Sequence, residues 1–277
     1  MRALNLVLLD IRNGISTLWH SGLLSCALFL LMNLTLYRLN ETMGEQLVPM
    51  SLGDYYVNMF TGIKNSEFRP DRLISLPFMW LAILSSILYF TLNYPHKDLE
   101  GIGKYFIVLS GNRLKWWGSK CLWVFLVVLL FFLIWLTLTI VWLLLIQGSL
   151  KYPISSNILI ILGLELEMMV QPPWPITVFV VVTFFTVLAL CLFQMFLSLC
   201  LRPILAFMTS TAILLLSVYF MNPFLLGNYL MATRSNVFVL SGVNSITGIL
   251  VSFGIILVVI IGGGWYFKHM DLLIKED

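Results

Sequence analysis

An all-α membrane protein of six transmembrane helices is predicted by three observations. Of 277 residues, 60% are hydrophobic and only 10% charged, with a mean hydropathy of +0.97; a soluble domain carries roughly 25% charged residues. The uncharged stretches lie near the ~20 residues that a helix needs to cross ~30 Å of hydrocarbon. Lys and Arg are distributed unevenly between the segments that join those stretches, as they are around membrane spans.

The elements follow in order. Leu4, Val7, Leu8, Ile11 and Ile15 project to one side of a helix, with Arg2, Asn5, Arg12 and Asn13 elsewhere. This pattern predicts an N-terminal helix lying in the membrane interface, the alternative being a simple extension of the first span, because Leu6 and Leu9 blur the pattern. The first apolar run carries no small-residue cleavage signature and reads as a retained span rather than a signal peptide. Spans are expected at residues 17–37, 76–93, 121–146, 175–201, 204–221 and 246–267, all in one domain covering 1–277. Pro77 opens the second span, where its missing N–H costs nothing. The third is long enough to require tilt. Arg202-Pro203 divides the fourth from the fifth; a single helix through both is about 70 Å long. Lys268 to Asp277 forms a polar tail.

An even number of spans puts both termini on one side. That side carries Arg2, Arg12, Lys97, Lys104, Arg113, Lys115, Lys120, Arg202, Lys268 and Lys275, ten in all, against six on the other: Arg38, Lys64, Arg69, Arg72, Lys151 and Arg234. The positive-inside bias therefore predicts cytoplasmic N- and C-termini.

The longest strongly basic interruption runs from His96 to Lys120. On a helix, Leu99, Ile102, Tyr105, Phe106 and Leu109 cluster on one side, and Glu100 and Lys104 face away. Ser110-Gly111-Asn112 is a turn. Arg113 to Lys120 begins a second amphipathic element, with Trp116 and Trp117 expected at headgroup depth and Lys115 and Lys120 able to meet anionic lipid. These residues alone are equally consistent with an ordinary positive-inside loop.

The order Glu100-Gly101, apolar Ile107-Val108-Leu109, turn Ser110-Gly111-Asn112, then Arg113 and Lys120 resembles the first cytoplasmic loop of the ABC-2 type permease family. Ile102 stands where the family usually has Thr, and Ser110-Gly111 where it has a turn proline. The stretch from Leu76 to Trp117, with Asn93-Tyr94-Pro95 and its Trp pair, looks closest to permeases associated with bacterial peptide or bacteriocin genes. The resemblance implies a cytoplasmic coupling helix that docks on an ATPase, with Glu100, Gly101, Ile102, Tyr105, Phe106, Leu109 and Arg113 as coupling residues and Trp116, Trp117 and Lys120 as interface anchors. It further implies cytoplasmic ABC ATPase subunits, a second copy or a paralogous permease, a bacterial plasma-membrane location, and no nucleic-acid partner. No phosphate-binding loop occurs in the sequence, and Gly262-Gly263-Gly264 lacks the required Lys. This chain is thus expected to bind no cofactor itself, with ATP and Mg on the partner ATPase.

No Asp, Glu, Lys or Arg falls in the middle of a predicted span, which argues against an ion-coupled carrier. Asn33, Gln194 and Ser198 are pathway candidates, although single polar residues in spans more often make interhelical hydrogen bonds. Gly248, Ser252 and Gly254 are expected to let the sixth span pack closely, and the Gly262–Gly264 run to add local flexibility. His20, His96 and His269 lie at span edges, which disfavours an intramembrane enzyme. Cys26, Cys121, Cys191 and Cys200 fit neither a disulfide framework nor a zinc site. Between the spans, residues 38–74 read as an external cap or gate, and 158–169, with Glu165 and Glu167, as an external surface helix. Residues 222–244 are expected to re-enter the membrane in part, as in the family. The function expected is export of an amphipathic substrate, with a peptide preferred over a drug, lipid or lipid-linked glycan. A non-transporting immunity or sensor-accessory protein is the reading from another class.

Overall fold

In a computed structural model of the protein, the structure describes residues 3–42, 50–64, 76–101, 113–155, 158, 161, 163 and 169–269. Seven α-helices are present among them: α1 (Ala3–Thr42), α2 (Leu52–Met59), α3 (Phe78–Glu100), α4 (Arg113–Leu145), α5 (Ile176–Cys200), α6 (Pro203–Tyr219) and α7 (Ser245–His269). Two short 3₁₀ turns, Leu226–Leu230 and Ala232–Arg234, join α6 to α7. The described residues contain isolated β-bridges but no named strand. Five helices are long and apolar enough to cross a membrane: the Gly22–Thr42 part of α1, then α3, α4, α5 and α7. This is the architecture of a multi-pass membrane protein. The sixth, α6, has 17 residues, and at 1.5 Å per residue spans about 25 Å.

The helix ends differ from the sequence-based expectation at the end of α1, which reaches Thr42 instead of residue 37, and more widely in three further places. The separate interfacial helix is replaced by one unbroken 40-residue helix, α1; residues 3–21 contain no Pro, and isolated Gly14 and Gly22 do not stop a helix. At about 60 Å, α1 is twice the hydrocarbon thickness. Helix α3 continues through Pro95 to Glu100, beyond the expected end at residue 93. Helix α4 starts at Arg113, eight residues before the expected 121.

The central element is α5, which contacts α3, α4, α6 and α7 and buries most of its length, whereas the Gly22–Thr42 part of α1 and α7 leave most of their apolar surface facing outward. Asn33 Nδ2 donates to Thr139 Oγ1 at 3.3 Å, and the Phe29 and Phe131 rings lie 5.0 Å apart, so α1 and α4 run side by side. Thr186 and Ser252 hydroxyls meet at 3.1 Å between α5 and α7. Close packing of α7 is seen at Gly248, where an added Cβ would lie 2.5 Å from the Tyr229 ring, but Gly254 faces open space.

The end of the bundle opposite the start of α1 and the end of α7, here the distal end, is filled from within. Ser51 and Asp54 form a capping box that starts α2, and Asp54 also accepts from the Ser155 N–H at 2.8 Å. Burial raises the Asp54 carboxyl pKa, partly opposed by these donors. Every residue of α2 is buried. Tyr56 shares a hydrogen bond with Thr183, about 10 Å into α5, and the Phe60 ring stacks on Phe132, about 20 Å below the end of α4. Residues 52–60, within the stretch 38–74 expected to form an external cap or gate, therefore pack among the helices of the bundle. Residues 43–49 and 65–75 of that stretch lie outside the described residues, as do Glu165 and Glu167.

The 226–239 segment is likewise buried, apart from half-buried Asn236, and joins α2. Ala232 N–H donates to Phe60 O at 2.6 Å and Thr233 N–H to Thr61 O at 3.3 Å. Gly62 lies between them with φ +65°, and a Cβ there would sit 2.2 Å from Met231 Cγ; only glycine meets both conditions. Trp80 Nε1–H donates to Leu230 O at 2.7 Å, fastening the segment to α3.

Candidate coupling site at the proximal end

The proximal end, where α1 begins and α7 ends, carries the residues that flank 102–112. Helix α3 reaches past Pro95 and brings Asp98 beside the first turns of α4. Lys120 Nζ lies 2.7 Å from Asp98 Oδ2, with the Lys120 side chain 1% exposed and that of Asp98 13%. Trp116 Nε1–H donates to the same oxygen at 3.0 Å, and Lys120 sits 5.3 Å from the Trp116 ring centroid. A buried ion pair persists only when both charges are compensated and further hydrogen bonds complete the set. Here the indole N–H supplies one, and the ring face is a second, weaker partner for the ammonium.

Trp117 extends the cluster to α7. Its Nε1–H donates to Ile260 O at 2.9 Å, and its ring stacks on Phe267 at 5.2 Å. The approach is possible because Gly263 has no side chain: an added Cβ would lie 2.2 Å from Trp117 Cζ2. The glycine run expected to loosen the last span thus provides, at Gly263, the seat for an indole. Arg113 donates to Phe267 O at 3.5 Å and Lys268 O at 3.4 Å, capping the carbonyl end of α7, where a cation complements the helix dipole. Gly263→Ala is expected to destabilise the protein by about 2 kcal/mol through overpacking, with Trp117→Leu in the same chain restoring part of the loss. Thermal unfolding in detergent measures both.

The site residues predicted from sequence divide into three groups. Gly101 and Arg113 are described at the two ends of the segment; Glu100 is the last helical residue of α3. Ile102, Tyr105, Phe106 and Leu109 lie outside the described residues. Trp116, Trp117 and Lys120 are brought together, but they face the protein rather than lipid headgroups. That corrects the expected lipid contact of Lys120. The reason is the extension of α3, which presents a carboxylate to the ammonium. Asp98 was missed, because ending the second span at residue 93 left it as one loop charge among several.

Asn33, Gln194 and Ser198 are all buried. Asn33 bonds α4, Gln194 Nε2 donates to Leu88 O of α3 at 2.7 Å, and Ser198 Oγ donates to Met195 O of its own helix. Gln194 Oε1 has no hydrogen-bond partner among the described residues. None of the three lines either of two apolar grooves found on helix faces among the described residues. One, about 390 Å³, lies among α1, α3 and α4, and the other, about 290 Å³, among α2, α4 and α5. No group of three or more His, Cys, Asp or Glu suited to a metal occurs among the described residues.

Comparison of the chain with protein-family models, with curated proteins and with solved structures finds no match.

Proposed function

We propose that this chain is the transmembrane subunit of an ATP-driven exporter of the ABC-2 type, spanning the membrane six times with both termini in the cytoplasm. Residues 99–109 are the docking helix for a soluble ATPase, and a second copy or a paralogue completes the permease. What supports the reading most is the fastening of both flanks of that segment. Asp98 and Arg113, on either side of it, are tied to Lys120 and to the end of α7. A push on a segment held this way moves α3, α4 and α7 together instead of being absorbed in a slack loop. The sequence order from Glu100 to Lys120, with its resemblance to the family loop, supplies the partner class. The cargo is an amphipathic molecule, a peptide by preference. That choice accords with apolar helix faces and the lack of charged residues at mid-span positions.

The test is purification of the tagged chain from its native cells. A co-purifying polypeptide that carries a phosphate-binding loop and hydrolyses ATP is expected. Tyr105→Glu with Phe106→Glu is expected to lower its recovery by about tenfold, with membrane insertion unchanged. Retained association in that double variant contradicts the docking assignment.

A further inference from the structure

The distal end carries a buried cation whose partners include no carboxylate among its described contacts. Arg234 is 2% exposed. Its Nε donates to Ile63 O at 2.9 Å, and its terminal nitrogens donate to Ser217 O, to Val218 O at 2.7 Å and to Asn228 Oδ1 at 2.7 Å. Ser217 and Val218 belong to the last turn of α6, so the guanidinium caps the negative end of that helix. Asn228 is itself held by Phe220 O and Asn222 O, each at 2.9 Å. Burial lowers the Arg234 pKa to about 10, leaving it cationic at neutral pH.

These bonds join three parts of the chain: the stretch after α2, which is about 170 positions away, and the 3₁₀ segment and end of α6, which follow one another. The first two are also bonded to each other, through Phe60–Ala232 and Thr61–Thr233. Both are also bonded to their surroundings, through Tyr56 to Thr183 of α5, Leu52 and Asp54 to residues 149–155, Phe238 O to Val170, and Asn236 to Ser245 of α7. Asn58 reaches Met32 O of α1 at 3.4 Å, Trp142 of α4 donates to Tyr55 Oη at 3.1 Å, and Trp80 of α3 holds Leu230 O. Between them the aromatic rings of Tyr56, Phe60, Phe179 and Phe238 fill the space beside Trp135.

We propose that α2 and the 226–239 segment form one plug that seals the distal half of the bundle and leaves it as a unit, with Arg234 as the latch that fastens it to α6. A guanidinium held by neutral carbonyls suits a latch. Released toward the distal surface it regains water and leaves no buried counter-charge behind, whereas parting a buried ion pair strands two charges. The backbone bonds between the two buried segments stay intact during such a movement, because they lie within the plug. The inference concerns the packing of these segments and is independent of the motor proposed above.

Single cysteines placed at Met59, Thr233 and exposed Leu240, in a chain whose four native cysteines are replaced by Ala, test it in membranes. A membrane-impermeant maleimide is applied to sealed cells and, separately, to inverted vesicles. Met59→Cys and Thr233→Cys are expected to resist labelling from both faces, while Leu240→Cys is labelled from one. Adding Arg234→Gln is expected to raise labelling of Met59→Cys and Thr233→Cys together by about tenfold, from the face that labels Leu240→Cys. Asn228→Ala, which keeps the cation and removes one acceptor, is expected to act in the same direction to a smaller extent. Labelling of both positions at the Leu240→Cys rate with Arg234 intact would overturn the seal. Exposure of one position without the other, or no change with either latch variant, would overturn the single latched unit.

Discussion

Lys120→Met is expected to lower the unfolding free energy by about 3 kcal/mol, because it strands Asp98 without its counter-charge in the space between α3 and α4. Asp98→Leu is expected to be comparably damaging, since it removes the carboxylate that lies 2.7 Å from the 1%-exposed ammonium. The double variant Asp98→Leu with Lys120→Met is expected to recover most of the loss, as apolar replacements of a buried pair are often near neutral. A double-mutant cycle from denaturant unfolding in bicelles yields the coupling. Additive single effects would show that the pair is not the fastening. If it is, the near-neutral double variant is also informative functionally: a stable protein without the Asp98–Lys120 tie is expected to keep its ATPase and lose stimulation of ATP turnover by cargo.

Arg234→Ala is expected to have an effect of similar or larger size at the other end. It removes the donor for Ile63 O, Ser217 O, Val218 O and Asn228 Oδ1 at once. Unpaired buried acceptors cost about 1–3 kcal/mol each, and partial hydration of the vacated space reduces their sum to about 4 kcal/mol. Arg234→Lys is expected to recover less than half. Its single ammonium cannot reach both the α6 carbonyls and Ile63 O, which the planar fork spans. The loss is read as a shift in thermal unfolding in detergent. Full rescue by Lys would contradict the geometric role and leave charge alone as the requirement.

The spans were legible because their signal is local and redundant: α5, α6 and α7 fall within two residues of the stretches expected from hydropathy. Their ends were less so. The second span was expected to end at residue 93, yet α3 continues through Pro95 with one missing N–H, and this extension creates the Asp98–Lys120 pair. The start of α2 had a readable signal, the capping-box spacing Ser51 to Asp54. Its burial did not, since it depends on Thr183, 127 positions beyond Tyr56. Of the 222–244 stretch, residues 226–239 are buried against the helices, apart from half-buried Asn236. The role of Arg234 was hidden, because an external loop arginine and a helix-capping arginine look the same in one dimension. The glycine run in α7 was visible but read as flexibility, because only the position of Trp117 reveals the close approach at Gly263.

The central claim is that residues 99–109 receive a soluble ATPase. The most direct measurement places a photo-crosslinking phenylalanine at Tyr105 in native membranes and identifies what it captures. The expected product is a covalent adduct with a polypeptide bearing a phosphate-binding loop, its yield changing when ATP is added. An intact, correctly inserted chain that forms no adduct with any nucleotide-binding polypeptide would contradict the account.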